Sequence, residues 1–309
     1  MKIAILGAGA MGSLFGARLA EAGQAVTLLD IDDAHLGAIR SHGLRLQTAA
    51  PDRWVTNLAV SRPEQAGAQP DLIIVFTKSM HTRAALTSLR HAIGPGTYLL
   101  TLQNGLGNVE KLREFVPLER ILAGVTTWPA DLVGPGHVRS HGEGAIRMMS
   151  ADGTVRPIVG QVVDALANAG LRCIADPDVW AAIWEKVAFN AALNTLCAVL
   201  GCTVDQLDLT PDGRRLALSI ALEVVSVARA RGIDANPASV EASVIHAIEN
   251  HRGHQPSMLQ DILAGRRTEI ESIGGAVVAE ARAAGVAVPD TACLLHLVRL
   301  AEARAVTGA

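Results

Sequence analysis

The chain has 309 residues, of which 50% are hydrophobic and 18% are charged, so it is long enough for two domains with packed cores. A formal net charge of -3 lacks the basic excess of a nucleic-acid-binding protein, and 3% aromatic residues argue against a base-stacking surface. Because no apolar run reaches the length of a membrane span and no secretory signal is recognised, the sequence predicts a cytoplasmic protein that binds neither nucleic acid nor membranes.

The chain begins with a strand, a glycine-rich turn and a helical pattern. The run from Ile3 to Leu6 leads directly into G-x-G-x-x-G. The first glycine of such a motif permits a tight turn, the second lets a pyrophosphate approach the backbone, and the third lets the helix pack on the strand. The helix N-terminus adds free N–H groups and a positive dipole end. The predicted dinucleotide-binding residues are Gly7, Ala8, Gly9, Ala10, Met11 and Gly12. The alternative is a βα turn without a ligand.

An acidic residue, Asp30, follows the second predicted strand, about 20 residues beyond the glycines. A carboxylate at this position suits the free 2′-hydroxyl of an NAD ribose. The neighbouring Asp32 and Asp33 would repel a 2′-phosphate. The segment therefore favours NAD(H) over NADP(H).

Strand and helix signals alternate through the first half, which predicts a parallel sheet with helices on both faces. Strands are predicted at residues 2–6, 25–29, 72–76, 98–102 and 121–126, with helices at 11–22, 34–41, 82–93, 109–115 and 155–169. A hairpin-like segment at 44–60 interrupts the alternation. Glycines punctuate residues 126–150, where strands at 137–140 and 145–149 are predicted to close the sheet edge in antiparallel fashion, before a short strand at 171–174.

Two polar residues follow strands of the predicted sheet. Lys78 comes after the strand at 72–76, and Asn104 comes after the strand at 98–102. Open α/β sheets bind ligands at the carboxyl ends of their strands, so both are candidate ligand contacts. A solvated lysine and an ordinary Asn-Gly turn are the alternatives.

The second half is helical from Asp176-Pro177 to the end. Helices are predicted at 179–200, 212–231, 237–249, 257–263, 268–284 and 290–305. The sequence has no internal repeat, and no low-complexity linker separates its two halves. We therefore predict an α/β Rossmann domain over residues 1–176 and an all-helical domain over residues 177–309.

Polar residues on these helices are candidates for chemistry. Lys186, Asn190 and Asn194 share one helix face, and asparagine is a poor helix former, which favours a role in hydrogen bonding. A polar stripe facing water is the alternative. Ser257 lies in the first turn of a helix, where a carboxylate can bind. Glu269 lies at the start of the next helix. A helix cap and a charge on the helix dipole are the alternatives for these last two residues.

Cysteine and histidine side chains give no metal-binding pattern. The four cysteines contain no C-x-x-C pair and are typical of small buried residues in a reducing compartment. His251 and His254 lie close together, but no third ligand follows at a suitable spacing. We therefore predict no metal site.

Taken together, these motifs resemble the ketopantoate reductase (2-dehydropantoate 2-reductase) family. The matching segments run almost from end to end: Gly7-x-Gly-x-x-Gly12, Lys78, Gln103-Asn104-Gly105, Pro135-Gly-x-Val138, Trp184-x-Lys186-x-x-x-Asn190-x-x-x-Asn194, Pro256-Ser-Met-Leu-Gln-Asp261 and Thr268-Glu269-Ile270. The last three segments are far more specific than the glycine motif. The resemblance implies a Rossmann domain followed by an all-α domain like the C-terminal domain of 6-phosphogluconate dehydrogenase.

The resemblance also implies an activity, the NAD(P)H-dependent reduction of 2-dehydropantoate to pantoate for pantothenate synthesis. Lys186 looks like the general acid that protonates the carbonyl oxygen, and Glu269 resembles the carboxylate that holds this lysine and the substrate hydroxyl. A positioned ammonium both stabilises the negative charge that develops on oxygen and supplies a proton. Burial lowers a lysine pKa and a neighbouring carboxylate raises it, so the pair suits acid catalysis near neutral pH without a metal.

Further contacts are implied for the remaining matched residues. Asn190 and Asn194 look like substrate-orienting amides, and Ser257 looks like the carboxylate binder. Asn104 and Lys78 would line the site from the cofactor side.

The chain departs from the family pattern at two places. NADP(H) is the family default, and many members carry a basic residue after the second strand, where this chain has Leu29-Asp30-Ile31-Asp32-Asp33. His254 stands where relatives often carry asparagine, so a paralogue that reduces a different bulky 2-oxo acid is an alternative. Competing interpretations are a 3-hydroxyacid or 6-phosphogluconate-type dehydrogenase and a non-catalytic dinucleotide-sensing module. The apolar helices of the second half are compatible with a homodimer.

Overall fold

A computed structural model describes residues 1–67 and 69–307. Its contacts divide the chain into two compact units. The first contains Met1–Gln103 and Asn108–Val179, and the second contains Asn104–Gly107 and the described residues from Trp180 onwards. The short segment Asn104–Gly107 therefore groups with the helical part of the chain, although it directly follows a strand of the first unit.

The first unit alternates strands and helices for most of its length. In chain order its elements are β1 (Lys2–Leu6), α1 (Ala10–Glu21), β2 (Ala25–Leu29), α2 (Asp33–His42), β3 (Leu44–Gln47), β4 (Arg53–Val55), β5 (Ala59–Ser61), β6 (Leu72–Val75), α3 (Thr82–Ser88), β7 (Tyr98–Thr101), α4 (Asn108–Leu112), β8 (Ile121–Thr126), β9 (Asp131–Gly134), β10 (His137–Arg139), β11 (Ile146–Ser150), α5 (Pro157–Asn168) and β12 (Cys173–Ala175).

The main sheet has eight strands in the order β12-β11-β8-β7-β6-β1-β2-β5. The six strands from β8 to β5 are parallel, which confirms the predicted α/β fold. All residues of β6 and β8 are buried, as expected for strands in the interior of a parallel sheet. Strands β2 and β5 are added on one side of β1, whereas β6, β7 and β8 are added on its other side. Open sheets bind ligands at such a switch point in the strand order.

A second sheet of four strands, in the order β4-β3-β10-β9, corrects one sequence prediction. The strand predicted at 137–140 does not close the edge of the main sheet, because β10 pairs with β3 and β9. Val138 of β10 is fully buried together with Leu44 and Leu46 of β3, so these strands share an apolar face. By contrast, β11 pairs antiparallel with β8, as predicted.

The second unit is helical. Its elements are α6 (Val179–Leu200), α7 (Pro211–Ala230), α8 (Pro237–Asn250), α9 (Ser257–Leu263), a π-helical turn (Glu271–Gly275), α10 (Ala276–Ala284) and α11 (Pro289–Thr307). The bounds of α6 are those predicted, and apolar residues from all around this helix belong to the core. No helix within the described residues is long and apolar enough to cross a membrane.

The prediction of a single helix at 268–284 is wrong for the first half of that range. The Thr268 hydroxyl accepts a hydrogen bond from the Ile270 N–H at 3.1 Å, which gives the backbone an alternative to a helical turn. A π-helical turn follows, and regular α-helix begins only at Ala276. Glu269 therefore precedes the helix instead of opening it.

Candidate functional site

The glycine-rich turn lies between the ends of two neighbouring strands. The Gly7 N–H donates to the carbonyl oxygen of Leu29, the last residue of β2, at 2.8 Å. The Thr77 N–H, just beyond β6, donates to the carbonyl oxygen of Leu6 at 3.1 Å. The turn thus sits at the switch point of the main sheet, where a nucleotide is expected.

The turn is closed on one side and open on the other. A Cβ atom added at Gly12 would lie 1.9 Å from the Gly7 carbonyl oxygen, so the helix and the turn can approach this closely only without a side chain. A Cβ atom added at the exposed Gly9 would meet nothing within 4 Å. Ala10 and Met11 begin α1 there, and first-turn N–H groups lack helical acceptors. This combination fits a pyrophosphate.

The Asp30 carboxylate is held in place by backbone N–H groups. Its Oδ2 atom accepts from Ala8 in the glycine-rich turn at 2.6 Å. Its Oδ1 atom accepts from Ile31 at 2.7 Å and from Asp32 at 3.1 Å. Asp30 therefore joins the turn after β1 to the loop after β2, in addition to its predicted role towards a ribose.

Arg62 is a residue of this region that sequence reasoning missed. Its Nη1 atom donates to Asp33 Oδ1 at 2.6 Å and to the Ile31 carbonyl oxygen at 3.2 Å, and its Nε atom donates to Glu64 Oε1 at 2.8 Å. The guanidinium holds the pKa of Glu64 below its ordinary value. The sequence feature that could have drawn attention to Arg62 is an Arg-x-Glu pattern directly after a short strand. This pattern does not predict that β5 pairs with β2.

Lys78 is half-buried, and both of its sequence neighbours are fixed. The Gln103 side-chain amide donates to the Thr77 carbonyl oxygen at 2.5 Å. The Ser79 hydroxyl donates to Asn108 Oδ1 at 2.6 Å and also contacts the Lys111 ammonium. The loop after β6 is therefore braced on either side of Lys78.

In the second unit, the amides predicted on α6 are buried. Asn190 is 6% exposed and Asn194 is 7% exposed, which excludes a stripe facing water for these two residues. Asn190 Nδ2 lies 3.5 Å from Asn104 Oδ1. The structure thus brings the predicted Asn104 next to one of the predicted amides of α6.

Lys186 of α6 is half-buried and has a perturbed pKa. Burial lowers the pKa of its ammonium to about 8, and the Glu269 carboxylate opposes this shift. The two predicted residues therefore interact electrostatically within the helical unit. An ammonium with such a pKa is protonated at neutral pH and releases its proton readily.

The π-helical turn that follows Glu269 supports the Asn104 segment. The Leu106 N–H donates to the Ser272 carbonyl oxygen at 2.7 Å. Gly105 packs so closely that an added Cβ atom would lie 2.3 Å from the same oxygen. Backbone contacts therefore fix the position of Asn104 relative to the segment that carries Glu269. Turns of this kind are frequent at functional sites.

Ser257 and His254 are both exposed. Ser257 is the first residue of α9, whose N-cap is Pro256, so the serine is not the helix cap. The His254 carbonyl oxygen accepts from the Val204 N–H at 3.1 Å, and its ring centroid lies 5.9 Å from that of His251. Among the described residues, no group of three or more His, Cys, Asp or Glu side chains could hold a metal ion.

Known proteins of one family are similar to this chain over most of its length. Residues 3–153 match the family model described as Ketopantoate reductase PanE/ApbA, and residues 178–302 match Ketopantoate reductase PanE/ApbA C terminal. A 2-dehydropantoate 2-reductase of Streptococcus pyogenes is 36% identical over 304 residues, which are 98% of each chain.

Solved structures are similar over nearly their full length. A D-mandelate dehydrogenase in ternary complex with NADH and anilino(oxo)acetate has a TM-score of 0.94 and 32% identity, with 99% of both chains covered. A ketopantoate reductase from Ralstonia eutropha JMP134 has a TM-score of 0.91 and 31% identity, again with 99% of both chains covered.

Proposed function

Because the chain belongs to the ketopantoate reductase family of NAD(P)-dependent oxidoreductases, we propose that it reduces 2-dehydropantoate to pantoate, with Lys186 as the general acid. The observation that carries this proposal is the effect of Glu269 on Lys186. A half-buried lysine with a pKa of about 8, which one carboxylate keeps from falling further, is suited to donate a proton near neutral pH.

The chemistry divides between cofactor and protein. When bound, the nicotinamide supplies the hydride that adds to the carbonyl carbon. The carbonyl oxygen then gains negative charge, which the Lys186 ammonium stabilises and neutralises by giving up one proton. Glu269 favours the protonated lysine before this transfer, because its negative charge raises the lysine pKa. Hydride and proton together complete the hydroxyl group of the product.

The remaining polar residues of the helical unit bind and orient the substrate in this proposal. Asn190 and Asn194 carry buried amides, of which the Asn190 amide contacts Asn104, and both are proposed to hydrogen-bond the substrate. Ser257 offers an exposed hydroxyl at the first position of α9 for the substrate carboxylate. His254 and Asn104 are the further proposed contacts.

The first unit holds the cofactor in this proposal. The pyrophosphate is bound by the residues of the open turn and the start of α1, which are Gly7, Ala8, Gly9, Ala10, Met11 and Gly12. Lys78, on its braced loop, is the proposed cation towards the cofactor.

We further propose that NAD(H) is the preferred cofactor. The Asp33 and Glu64 carboxylates are both bound by Arg62, which also donates to the carbonyl oxygen of Ile31, the residue that follows Asp30. Arg62, the cation of this region, already forms ion pairs with Asp33 and Glu64. A 2′-phosphate would have to displace those carboxylates and approach Asp30. The complex of the similar D-mandelate dehydrogenase with NADH is consistent with this preference.

A second candidate function is the reduction of a different bulky 2-oxo acid. The similarity to a D-mandelate dehydrogenase supports it, as does a histidine, His254, at a position that we propose to contact the substrate. A panel of 2-oxo acids, assayed by consumption of NADH and of NADPH, separates the two candidates. We expect the highest kcat/KM with 2-dehydropantoate. If different 2-oxo acids of similar size react equally well, the narrower function is wrong and the second candidate is supported.

A further inference from the structure

A buried chain of hydrogen bonds connects the small sheet to the glycine-rich turn. The N–H of Gly136, between β9 and β10, donates to His35 Nδ1 at 3.0 Å. His35 Nε2 lies 3.1 Å from the Ser13 hydroxyl, which in turn donates to the Ala8 carbonyl oxygen at 2.6 Å. His35 is 2% exposed and Ser13 is fully buried. Neither residue has a part in the reaction described above.

The directions of these hydrogen bonds determine the state of the histidine. The Ser13 hydroxyl has one proton, and it is used towards Ala8. His35 Nε2 must therefore donate to that hydroxyl, while Nδ1 accepts from the backbone of Gly136. His35 is thus neutral with its proton on Nε2. A second proton on Nδ1 would face the Gly136 N–H and break the chain.

This arrangement fixes both peptide groups of Ala8. The Ala8 N–H donates to Asp30, and the Ala8 carbonyl oxygen accepts from Ser13. In a trans peptide the following N–H points opposite to the carbonyl. The Gly9 N–H is consequently directed away from Ser13. The space around Gly9 is open, since an added Cβ atom would meet nothing within 4 Å.

We propose that His35 is a positioning residue for the dinucleotide-binding turn. Acting through Ser13, its neutral imidazole holds the Ala8 carbonyl oxygen inward and thereby aims the Gly9 N–H at the pyrophosphate. The small sheet contributes through Gly136, which fixes the second nitrogen of the ring. This inference rests on the proposed cofactor site, and it assigns to Ser13, His35 and Gly136 a role in cofactor affinity rather than in proton transfer.

Ser13→Ala is the first test, because it removes one buried oxygen from a helix and replaces it with a residue that favours helix. Titration of the full-length protein with NADH, followed by calorimetry, should give a Kd about tenfold higher than that of the wild type. The KM for NADH should rise similarly while kcat stays within twofold. Ser88→Ala in α3 is the matched control, since the Ser88 hydroxyl donates to the carbonyl oxygens of Ala84 and Ala85 in its own helix, and the Kd of this variant should be unchanged.

Two changes at His35 test whether it acts through Ser13. His35→Gln retains a donor that can reach Ser13 and should bind NADH within about threefold of the wild type, whereas His35→Leu should weaken binding about as much as Ser13→Ala. The double variant Ser13→Ala/His35→Leu should be no weaker than either single variant, because both break one chain.

Two results would overturn the inference alone: a Ser13→Ala protein that binds NADH within twofold of the wild type, or additive losses in the double variant. If His35→Leu does not fold, the NADH titration of Ser13→Ala still tests the inference. A wild-type protein that binds neither NADH nor NADPH would instead overturn the proposed function, and this inference with it.

Discussion

The Glu269 carboxylate raises the pKa of the Lys186 ammonium, against a larger opposite effect of burial that leaves this pKa at about 8. Glu269 lies just before the π-helical turn, and Lys186 lies on α6, so two separate segments of the helical unit meet in this interaction. The lysine is thereby kept charged in neutral solution. Its proton is nevertheless more acidic than that of an exposed lysine.

The pH dependence of the reduction follows from this pKa. In the proposed mechanism Lys186 must be protonated, so kcat/KM for the 2-oxo acid should be constant below about pH 8 and should fall about tenfold per pH unit above it. In Glu269→Gln the carboxylate no longer raises the lysine pKa, so the fall should begin at lower pH. Initial rates between pH 6 and 10 (roughly the range in which a lysine with this pKa titrates) measure both profiles. An unchanged profile in the variant would contradict the pairing.

Removal of the acid should affect turnover much more than cofactor binding. Lys186→Met keeps most of the side-chain volume but has no proton to donate, and kcat should fall by about a hundredfold to ten-thousandfold. The Kd for NADH, measured by fluorescence, should change less than about threefold. Lys2→Met is the control, because Lys2 is an exposed lysine of the first strand, and it should leave kcat unchanged. Turnover in Lys186→Met within a few-fold of the wild type would show that another group is the acid.

The loop that carries Asn104 should be intolerant of a side chain at Gly105. A Cβ atom there would lie 2.3 Å from the Ser272 carbonyl oxygen, and φ is +86°. Gly107 has a similar φ of +79°, but nothing lies within 4 Å of its Cβ position. Gly107→Ala should therefore cost about 1–2 kcal/mol of unfolding free energy from backbone strain alone.

Gly105→Ala should cost more than Gly107→Ala, because the overlap with Ser272 is added to the strain. It should also raise the KM for the 2-oxo acid, since Asn104 is displaced together with its neighbour. Denaturant unfolding and steady-state kinetics of the two variants give the comparison. Equal stability losses would mean that the contact with Ser272 is easily relaxed.

The proposed preference for NAD(H) should weaken when Arg62 is released from its carboxylates. In Asp33→Asn/Glu64→Gln, two negative charges are removed and the guanidinium is available to a phosphate. We expect the ratio of kcat/KM for NADPH to that for NADH to rise by about tenfold or more, equivalent to about 1.4 kcal/mol. Adding Arg62→Ala to this double variant should reverse most of the gain. If the ratio does not change, Arg62 does not reach the 2′ position.

The stability of the first unit should depend on the ionisation of His35. Burial lowers the pKa of its imidazole below the ordinary value of 6.5, although Asp30 and Asp32 oppose the shift. Because the unfolded chain then binds a proton more readily than the folded one, stability from this residue is complete above pH 6.5 and is lost as the pH falls below it. The slope is at most about 1.4 kcal/mol per pH unit for one proton.

His35→Gln removes this titration, so the decrease of the unfolding free energy between pH 6.5 and 5 should be smaller than in the wild type. His42→Gln is the matched control on the same helix, because His42 is exposed. Urea unfolding at several pH values provides the measurement. Parallel curves for wild type and His35→Gln would show that the histidine is not kept neutral by the fold.

Local patterns were sufficient to predict most strands and helices, including β1, β2, β8, α6 and α9 with their observed ends. Pairing across long distances in the sequence was not predictable in the same way. The alternation at His137, Val138 and Arg139 indicates a strand, but nothing in it specifies β3 as the partner. The helix predicted at 82–93 ends at Ser88, since the chain tightens there into a 3₁₀ turn at Arg90–Ala92.

The candidate site shows the same limit. Spacing predicted that Lys186, Asn190 and Asn194 share a face, because a regular helix has a fixed period. The interaction of Lys186 with Glu269 depends on how two segments distant in sequence pack together. Its prediction therefore rested on the family resemblance and not on spacing. The family resemblance did not point to Arg62. Its ion pair with Asp33 depends on the pairing of β5 with β2, which the sequence alone did not predict.

The packing of many α6 side chains into the core has a consequence for substrate length. Lys186, Asn190 and Asn194 follow one another at intervals of one turn, so their backbone positions are about 6 Å apart along the axis. The apolar residues around the helix are packed into the core, so it can neither rotate nor slide to suit a different molecule. With the substrate contacts proposed above, we therefore expect a 2-oxo acid too short to extend from Lys186 to Asn190 and Asn194 to bind less tightly than a longer one.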